Sequence, residues 1–303
     1  MILVFGTICI DRVMKIASLP RVGGYVEVES EVTYLGGEAA NTANALNHWG
    51  AEVRLYGNPF ANTPPFQPLR EMLAQRNLKN LSETLDSNID FPVCDIYVTP
   101  DGDRTMFGKG FASMEDTLSL ESLPFERGQW FTAEPNMSEA SRKAASAAAE
   151  AGMHVYLMDF NRSDEQIPVG SFWQSSTDWF GARGDFAGNL KLVQDWSNRY
   201  GCHAILTDGA NGLIYAGPNS PAQAFPAFPP PKVVDSTGSG DMFRAGMLYG
   251  LDQKWPVREC LVFASAAGTL GIGSLGATET VPSVPAITDF VLAHSPVRDR
   301  FHS

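Results

Sequence analysis

The residues best placed to do chemistry lie in one short stretch that ends at Asp241 and reads Asp-Ser-Thr-Gly-Ser-Gly-Asp from residue 235. We expect a short buried strand at residues 232–234, and after the stretch apolar residues recur at helical spacing, with Arg244 on another face. The glycines let the backbone approach a ligand, and the first amides of a helix favour an anion such as phosphate. A carboxylate is ordinary at a helix start, but beside an anion site it is also placed to take a proton from a hydroxyl group.

Composition and charge argue against several classes of protein. The chain has 303 residues, of which 44% are hydrophobic, so a sizeable core is available. Its net charge of −12 argues against a surface for nucleic acid or an anionic membrane, and no apolar run approaches membrane-spanning length. The four cysteines have no paired spacing, so we expect neither a disulfide framework nor a zinc site. Residues 1–10 lack a basic leader, so we expect a cytoplasmic protein.

Segments that predict strands alternate with segments that predict helices over most of the chain. The strands are expected at residues 2–5, 53–57, 129–133, 155–158 and 204–207. This order is typical of an α/β protein with a doubly wound, mostly parallel sheet, in which ligands bind at the carboxyl ends of the strands.

Polar residues follow several of these strand ends. Asp11 comes shortly after the first strand, Glu134 directly after the third, and Asp159 and Asn161 after the fourth. On this geometry each of them would line a ligand crevice. Asp11 is also consistent with an aspartate that only stabilises a local turn and binds no ligand.

Two separate segments predict a second, smaller β-layer. Residues 13–35 and 89–112 contain apolar residues that alternate with polar ones, which is typical of strands with one buried face. A hairpin turn at residues 100–103 leads directly to Arg104. That side chain either reaches a substrate or is a solvated hairpin charge.

The stretch that ends at Asp241 resembles the Asp-Thr-x-Gly-Ala-Gly-Asp signature of the ribokinase-like (PfkB) carbohydrate kinases. The resemblance implies that Asp241 is the catalytic base. It also implies that the turn of Gly238, Ser239 and Gly240 stabilises charge on the transferring phosphoryl group.

A second block resembles the other signature of that family. Gly36-Gly37 is followed four residues later by Asn41 and then by a helix that ends near Gly50. The resemblance implies that Gly37 and Asn41 hold sugar hydroxyls. The small β-layer would then be the family's lid over the sugar, which commonly doubles as a dimer surface.

Further matches concern the nucleotide and ions. The family's Thr-x-Gly-x-x-Gly, which touches ATP, is matched by Thr207, Gly209 and Gly212. A monovalent cation site, for K⁺, is implied at Asp235, Thr237, Gly276 and Thr280.

The chain also departs from the family in two places. After Gly57 the usual Gly-x-Asp is replaced by a loop rich in proline and phenylalanine. The family's Asn-x-x-Glu, which positions Mg²⁺ and phosphates after a strand, is missing between residues 171 and 185, where Asp185 is a candidate to replace the glutamate. A Gly-x-Gly-x-x-Gly run at residues 271–276 is not a dinucleotide site. That motif needs a strand before it and a helix within it, whereas here a helix is expected before the run and prolines follow it.

The resemblance covers nearly the whole chain. It implies one ribokinase-like domain over residues 1–303 that uses ATP and Mg²⁺ to phosphorylate a hydroxymethyl group of a small sugar or sugar acid, of the ribose, fructose or 2-keto-3-deoxygluconate type. Two alternatives stay open. A nucleoside kinase of the same superfamily would need an apolar clamp, for which the loop at residues 59–66 is available, and a non-catalytic sugar- or nucleotide-binding member would fit the missing Asn-x-x-Glu.

Overall fold

The computed structural model describes residues 1–60, 64–82, 92–114, 120, 122–135 and 139–302. The strands in chain order are β1 (Ile2–Gly6), β2 (Cys9–Ile16), β3 (Val28–Gly36), β4 (Val53–Gly57), β5 (Val93–Val98), β6 (Arg104–Lys109), β7 (Trp130–Ala133), β8 (His154–Met158), β9 (Phe172–Ser176), β10 (His203–Thr207), β11 (Leu213–Ala216) and β12 (Gln223–Phe225). The helices are α1 (Glu38–His48), α2 (Gln67–Gln75), α3 (Phe111–Met114), α4 (Glu139–Glu150), α5 (Phe186–Tyr200), α6 (Ser239–Asp252), α7 (Val257–Gly271), α8 (Val284–Ala293) and α9 (Ser295–Asp299).

The larger sheet has the strand order β12-β11-β10-β9-β8-β7-β1-β4. The six strands from β10 to β4 are parallel, while β11 and β12 extend the edge as antiparallel strands. The expected mostly parallel α/β fold is therefore confirmed. Because parallel strands share their direction, β1, β7, β8, β9 and β10 all end at the same edge, where a crevice can form.

Helices cover both faces of this sheet, and the alternation within β1 shows why. Ile2 and Val4 pack into one core cluster with α1, α6, α7 and α8, whereas Leu3 and Phe5 pack into another with α4 and α5. Successive side chains of a strand point to opposite faces, so a fully apolar strand must be covered on both sides. Helices on both faces of a mostly parallel sheet are the doubly wound arrangement that the alternating strand and helix segments predicted.

A second sheet has the order β3-β2-β5-β6 and its own small core of Val13, Ile96 and Val98. Its strands come from the two segments expected to form a β-layer, although residues 89–91 of the second segment lie outside the described residues. The strand β2 begins at Cys9, earlier than expected, so Asp11 lies within a strand rather than in a turn. The roles of this sheet as a lid and as a dimer surface stay predictions.

The expected strand at residues 232–234 is wrong. Lys232 and Val233 are exposed, and the amides of Val234 and Asp235 both donate to the carbonyl of Ile272, at 2.8 and 3.2 Å. This segment follows three prolines and is held by the loop after α7 rather than by a neighbouring strand. Its apolar composition was a weak signal, because a strand also needs a ladder partner.

Among the described residues, no helix combines the length and the apolar character needed to cross a membrane.

Candidate active site

The turn before α6 has a backbone that only glycine fits. Gly238 has φ +72°, and a Cβ there would lie 2.5 Å from the Cβ of Ala277. The helix begins at Ser239, so its first amides lack intrahelical partners, and that of Ser239 donates to the carbonyl of Ser236 at 3.4 Å. The side chain of Gln174, on β9, donates to the carbonyl of Gly240 at 3.1 Å and so ties this turn to the sheet.

Asp241 lies in the first turn of α6 and is buried. Its Oδ2 accepts a hydrogen bond from Asn41 Nδ2 at 2.8 Å, while its Oδ1 is enclosed and accepts none. Burial raises the pKa of Asp241 to about 6, and the charge of Arg244 and the Asn41 hydrogen bond limit that rise. Above about pH 6 the residue is therefore a carboxylate with a free oxygen, which is what a base for a hydroxyl group requires.

Arg244 is fully buried, although its position in the sequence suggested another face of the helix. It lies one turn after Asp241 on the same side, with Nη2 3.6 Å from Asp241 Oδ1. Its Nε donates to Thr42 Oγ1 at 2.8 Å and its Nη2 donates to the carbonyl of Glu38. The sequence pattern placed Arg244 on another face, but its spacing of three from Asp241 was a usable signal, since residues three apart share a helix face.

Glu134 directly follows β7 and is buried. Its Oε1 accepts a hydrogen bond from the amide of Thr7, whereas its Oε2 is enclosed without a partner. A Cβ at Gly6 would lie 2.2 Å from Glu134 Oε1, so this glycine leaves the space that the carboxyl group occupies. Burial raises the pKa of Glu134 to about 7, which the charge of Arg244 moderates.

Glu38 is the first residue of α1, directly after the cap residue Gly37. A Cβ at Gly37 would lie 2.3 Å from the carbonyl oxygen of Thr7, so the helix start can approach β1 this closely only with glycine there. Glu38 Oε2 is enclosed without a hydrogen-bond partner. Burial raises the pKa of Glu38 well above its usual value, and the charge of Glu134 adds to the rise. Gly37 could be identified from the sequence signature, but Glu38 beside it could not.

Asp159 and Asn161 follow β8. Asp159 has φ +54° and accepts a hydrogen bond from Ser175 Oγ at 2.7 Å, and burial raises its pKa to about 6. Asn161 is half-buried in the loop beyond it.

The small sheet contributes Asp11 and Arg104. Asp11 is buried, and a Cβ at Gly36 would lie 2.1 Å from its carboxyl carbon. Burial, with a smaller contribution from the charge of Asp241, raises the pKa of Asp11 to about 7. Arg104 Nη1 donates to Ser236 Oγ at 2.9 Å and so links β6 to the turn before α6. The structure therefore brings both residues to the crevice, on the side of the second sheet.

Three of the four residues expected at a monovalent cation lie together. The carboxylate of Asp235 accepts from the amides of Thr237 and Gly276, each at 2.9 Å. Thr237 Oγ1 is enclosed without a partner, while Thr280 is exposed. Asp235 thus joins two loops, and the oxygen atoms present suit a cation.

The residues expected to touch ATP lie further along the same edge. Thr207 ends β10 and its hydroxyl donates to the carbonyl of Ser175 at 3.3 Å. Gly209 begins a short 3₁₀ turn (Gly209–Asn211), which Gly212 follows, and a Cβ at Gly212 would lie 2.0 Å from the carbonyl oxygen of Phe225. Asp208, between them, is buried and accepts from Thr177 Oγ1 and from the amide of Gly184.

Two carboxylates follow β9, Asp178 and Asp185, and they have different partners. Asp185 caps α5, because its side chain accepts from the amide of Gly188 at 3.0 Å. Asp178 comes two residues after the end of β9 and pairs with Arg183 at 3.0 Å. Asp178 stands three residues after Ser175, which is the spacing of the carboxylate in Asn-x-x-Glu, a signal in the sequence that was missed.

The sequence matches the pfkB family carbohydrate kinases over residues 1–284. An uncharacterised sugar kinase of Dictyostelium discoideum is 29% identical over an alignment of 346 positions that covers 95% of this chain and 96% of that protein. A solved ribokinase from Cryptococcus neoformans in complex with ADP has a TM-score of 0.78 at 18% identity and covers 95% of this chain and 98% of its own. A Burkholderia thailandensis nucleoside kinase in complex with inosine has a TM-score of 0.76 at 19% identity and covers 97% of both chains.

The two solved structures support the ribokinase-like fold, and the family match extends over nearly the whole sequence. This chain therefore belongs to the pfkB family of carbohydrate kinases, which are phosphotransferases with an alcohol group as acceptor.

Proposed function

We propose that this sugar kinase transfers the γ-phosphoryl group of ATP to a hydroxymethyl group of a small sugar. The observation that carries the proposal is the enclosed Oδ1 of Asp241, which has no hydrogen-bond partner and lies at the start of a helix preceded by a glycine turn. Enclosed polar atoms of native proteins are nearly always hydrogen-bonded, so this oxygen is explained best by a substrate hydroxyl.

In this mechanism Asp241 accepts the proton of the attacking hydroxyl as phosphoryl transfer proceeds. The amides of Gly238, Ser239 and Gly240 stabilise the charge on the transferring group, since they point out of a helix N-terminus. Asn41 orients Asp241 through its hydrogen bond, and burial excludes water. Catalysis then depends on positioning and electrostatics, as is general for phosphoryl transfer.

The acceptor and the nucleotide would bind at different parts of the same edge. Asp11, Gly37, Glu134 and Asp159 surround the acceptor side, near the ends of β1, β7 and β8. ATP would lie over the ends of β9 and β10, along Thr207, Gly209 and Gly212. Arg104 and Asp11 reach the crevice from the small sheet, which supports a role of that sheet as a lid over the sugar.

The residues near the nucleotide side suit Mg²⁺, which prefers carboxylate and hydroxyl oxygens. Asp178 would supply the carboxylate that the missing Asn-x-x-Glu supplies in the family, with Thr177 beside it. When bound, Mg²⁺ neutralises charge on the phosphates of ATP. The loops joined by Asp235 would hold K⁺, with oxygens from Thr237 and the segment around Gly276.

The test is ADP release by the purified protein with Mg-ATP over neutral sugars, sugar acids, amino sugars and nucleosides, with and without K⁺. We expect turnover of one sugar that is lost in Asp241→Asn while sugar binding persists. Equal loss of binding and turnover would contradict the assigned role of Asp241. Turnover of nucleosides alone would favour the nucleoside kinase, and binding without any turnover would favour a non-catalytic member.

One observation bears on the nucleoside alternative. The rings of Phe60 and Phe66 stack with centroids 6.1 Å apart, but Phe66 is buried and Phe60 packs against the core. Residues 61–63 of that loop lie outside the described residues. The ring pair therefore has a structural role, which favours a sugar over a nucleoside.

A further inference from the structure

A buried polar pair lies in the main sheet beneath the turn before α6. Gln174 on β9 is 2% exposed, and Tyr156 on β8 is fully buried. Both side chains lie on one face of the sheet, because Tyr156 is opposite Phe172 and Met158 is opposite Gln174 in the register of the two strands. Tyr156 and Phe172 belong to the core cluster that packs against α6. Polar groups in such a place cost free energy unless they are hydrogen-bonded, so their partners indicate their role.

The partners of Gln174 fix which way its side-chain amide faces. The carbonyl of Gly240 can only accept, so it is the Nε2 of Gln174 that faces it, at 3.1 Å. The Oε1 then accepts from the hydroxyl of Tyr156 at 2.7 Å, and Nε2 also lies 3.5 Å from Met158 Sδ. Burial raises the pKa of Tyr156 well above its usual value, so the hydroxyl keeps the proton that it donates.

The hydrogen bond to Gly240 is not needed to hold α6 together. The helix runs from Ser239 to Asp252, so the carbonyl of Gly240 already has the amide four residues further on as its helical partner. Gln174 adds a second donor to the same oxygen. Apolar side chains of the same shape would fill the core about as well as this bonded pair. The pair therefore acts chiefly on the peptide group that it contacts.

This peptide group carries a donor of the anion-binding turn. It joins Gly240 to Asp241, so its carbonyl accepts from Gln174 while its N–H is the amide of Asp241. That amide is among the first of α6, which lack intrahelical partners, since the amide of Met242 is the one that donates back to Gly238, at 2.9 Å. A hydrogen bond to the carbonyl polarises the peptide and strengthens its N–H as a donor.

We propose that Gln174, oriented by Tyr156, is a positioning residue for phosphoryl transfer. It fixes and polarises the peptide between Gly240 and Asp241, so that the amide of Asp241 donates to the transferring group together with the amides of the glycine turn. This inference rests on the proposed function and deepens it. Neither Gln174 nor Tyr156 contacts a substrate, and both act through the turn above them.

The experiment measures the affinity for Mg-ADP with aluminium fluoride, which mimics the phosphoryl group in transit and needs no turnover. Gln174→Met keeps the length of the side chain and removes its N–H donors, and Tyr156→Phe removes only the hydroxyl. Each variant should weaken binding of the mimic and lower kcat by the same factor, about 5- to 10-fold. The Kd for Mg-ADP alone and KM for the sugar should change less than about twofold, because the polarised amide acts on the transferring group.

The matched control is Tyr215→Phe, which removes another tyrosine hydroxyl from the same sheet. That hydroxyl lies 2.8 Å from Nδ1 of His203, at the opposite end of β10 from Thr207. The control should lower the midpoint of thermal unfolding, as Tyr156→Phe does, and leave kcat and the affinity for the mimic unchanged. Because Gln174 and Tyr156 form one chain of hydrogen bonds, the double variant should lower kcat no further than Gln174→Met alone, whereas independent effects would multiply.

A folded Gln174→Met variant with the wild-type kcat and affinity for the mimic would overturn the inference and leave the kinase proposal intact. Equal losses of affinity for Mg-ADP and for the mimic would also overturn it, since they would indicate a general disturbance of the nucleotide site. Should Gln174→Met not fold, Tyr156→Phe decides by the same criteria.

A different result separates the two proposals. If the wild-type protein turns over no acceptor but binds the mimic more tightly than Mg-ADP, and both variants lose this gain, the inference about Gln174 holds and the proposed kinase function fails. A wild-type protein that neither turns over an acceptor nor gains affinity for the mimic would overturn both proposals.

Discussion

The two halves of the carboxyl edge of the main sheet differ in how their carboxylates are paired. On the acceptor side, Glu38, Glu134 and Asp241 each keep an enclosed oxygen without a partner. On the nucleotide side, Asp208 accepts two hydrogen bonds and Asp185 caps a helix. The paired carboxylates hold loops in place, whereas the unpaired ones keep hydrogen-bonding capacity for a ligand. We therefore propose that a free oxygen, rather than burial alone, marks Glu38, Glu134 and Asp241 as carboxylates that bind a ligand.

The largest effect is expected at Asp241. Asp241→Asn should lower kcat about 10²- to 10⁴-fold, because an amide cannot accept the proton of the acceptor hydroxyl. Its midpoint of thermal unfolding should change little, since Asn41 can still bond to the remaining oxygen. Steady-state kinetics, binding of the sugar and thermal unfolding test this against Asp195→Asn, an exposed position on α5. A kcat close to that of the control would remove Asp241 from the chemistry.

Arg244→Gln should affect both stability and the pH profile. Removal of a fully buried cation leaves the neighbouring carboxylates uncompensated, and we expect the free energy of unfolding to fall by about 3 kcal/mol or more. Arg244 lowers the pKa of Asp241, so its loss should move the acidic limb of kcat/KM from about pH 6 to higher pH. Arg244→Lys should restore part of this shift. An acidic limb that does not move in Arg244→Gln would show that Arg244 does not act on the base.

Asp208→Asn tests the nucleotide side of the edge, where the carboxylate of Asp208 accepts two hydrogen bonds. The change weakens the hydrogen bonds from Thr177 Oγ1 and the amide of Gly184, and should lower the free energy of unfolding by about 1–3 kcal/mol. Because Asp208 lies between Thr207 and Gly209, KM for ATP should rise while KM for the sugar stays constant. Denaturant unfolding and separate titrations of the two substrates measure this. A rise in KM for the sugar instead would contradict the division of the edge into two halves.

The smallest effect is expected outside the crevice. Arg12 and Asp95 form a two-pronged ion pair at 2.6 and 2.7 Å on neighbouring strands of the small sheet, and their side chains are 46% and 27% exposed. Asp95→Asn should change the free energy of unfolding by less than about 1 kcal/mol and leave kcat/KM unchanged, because solvent screens such pairs. A large loss of activity would mean that the small sheet controls the site more directly than its position suggests.

Much of the fold could be predicted from the sequence. The alternation of apolar segments predicted the parallel sheet, and the structure confirms it. The strand expected at residues 232–234 is wrong, because a lysine and two valines do not by themselves supply a ladder partner. The signature that ends at Asp241 identified the family correctly.

Sequence reasoning located the acceptor side less completely. Gly37 and Asn41 were found through a short signature, but Glu38 between them was not, since a glutamate at a helix start is ordinary on local grounds. Arg244 was assigned to another face because a charged side chain in a helix is usually solvated. Its burial depends on Thr42 and Glu38, which lie about 200 residues away in the chain.

The sequence by itself determined the features that depend on neighbouring residues. These are the glycine turn at Gly238, the helix start that places Asp241 in its first turn, and the period-2 and helical patterns that select an α/β sheet. Only the tertiary structure decided which polar groups meet and which are left without partners. Glu38, Glu134 and Arg244 come from α1, the end of β7 and α6, and their pairing and raised pKa values arise from burial, which no local pattern encodes.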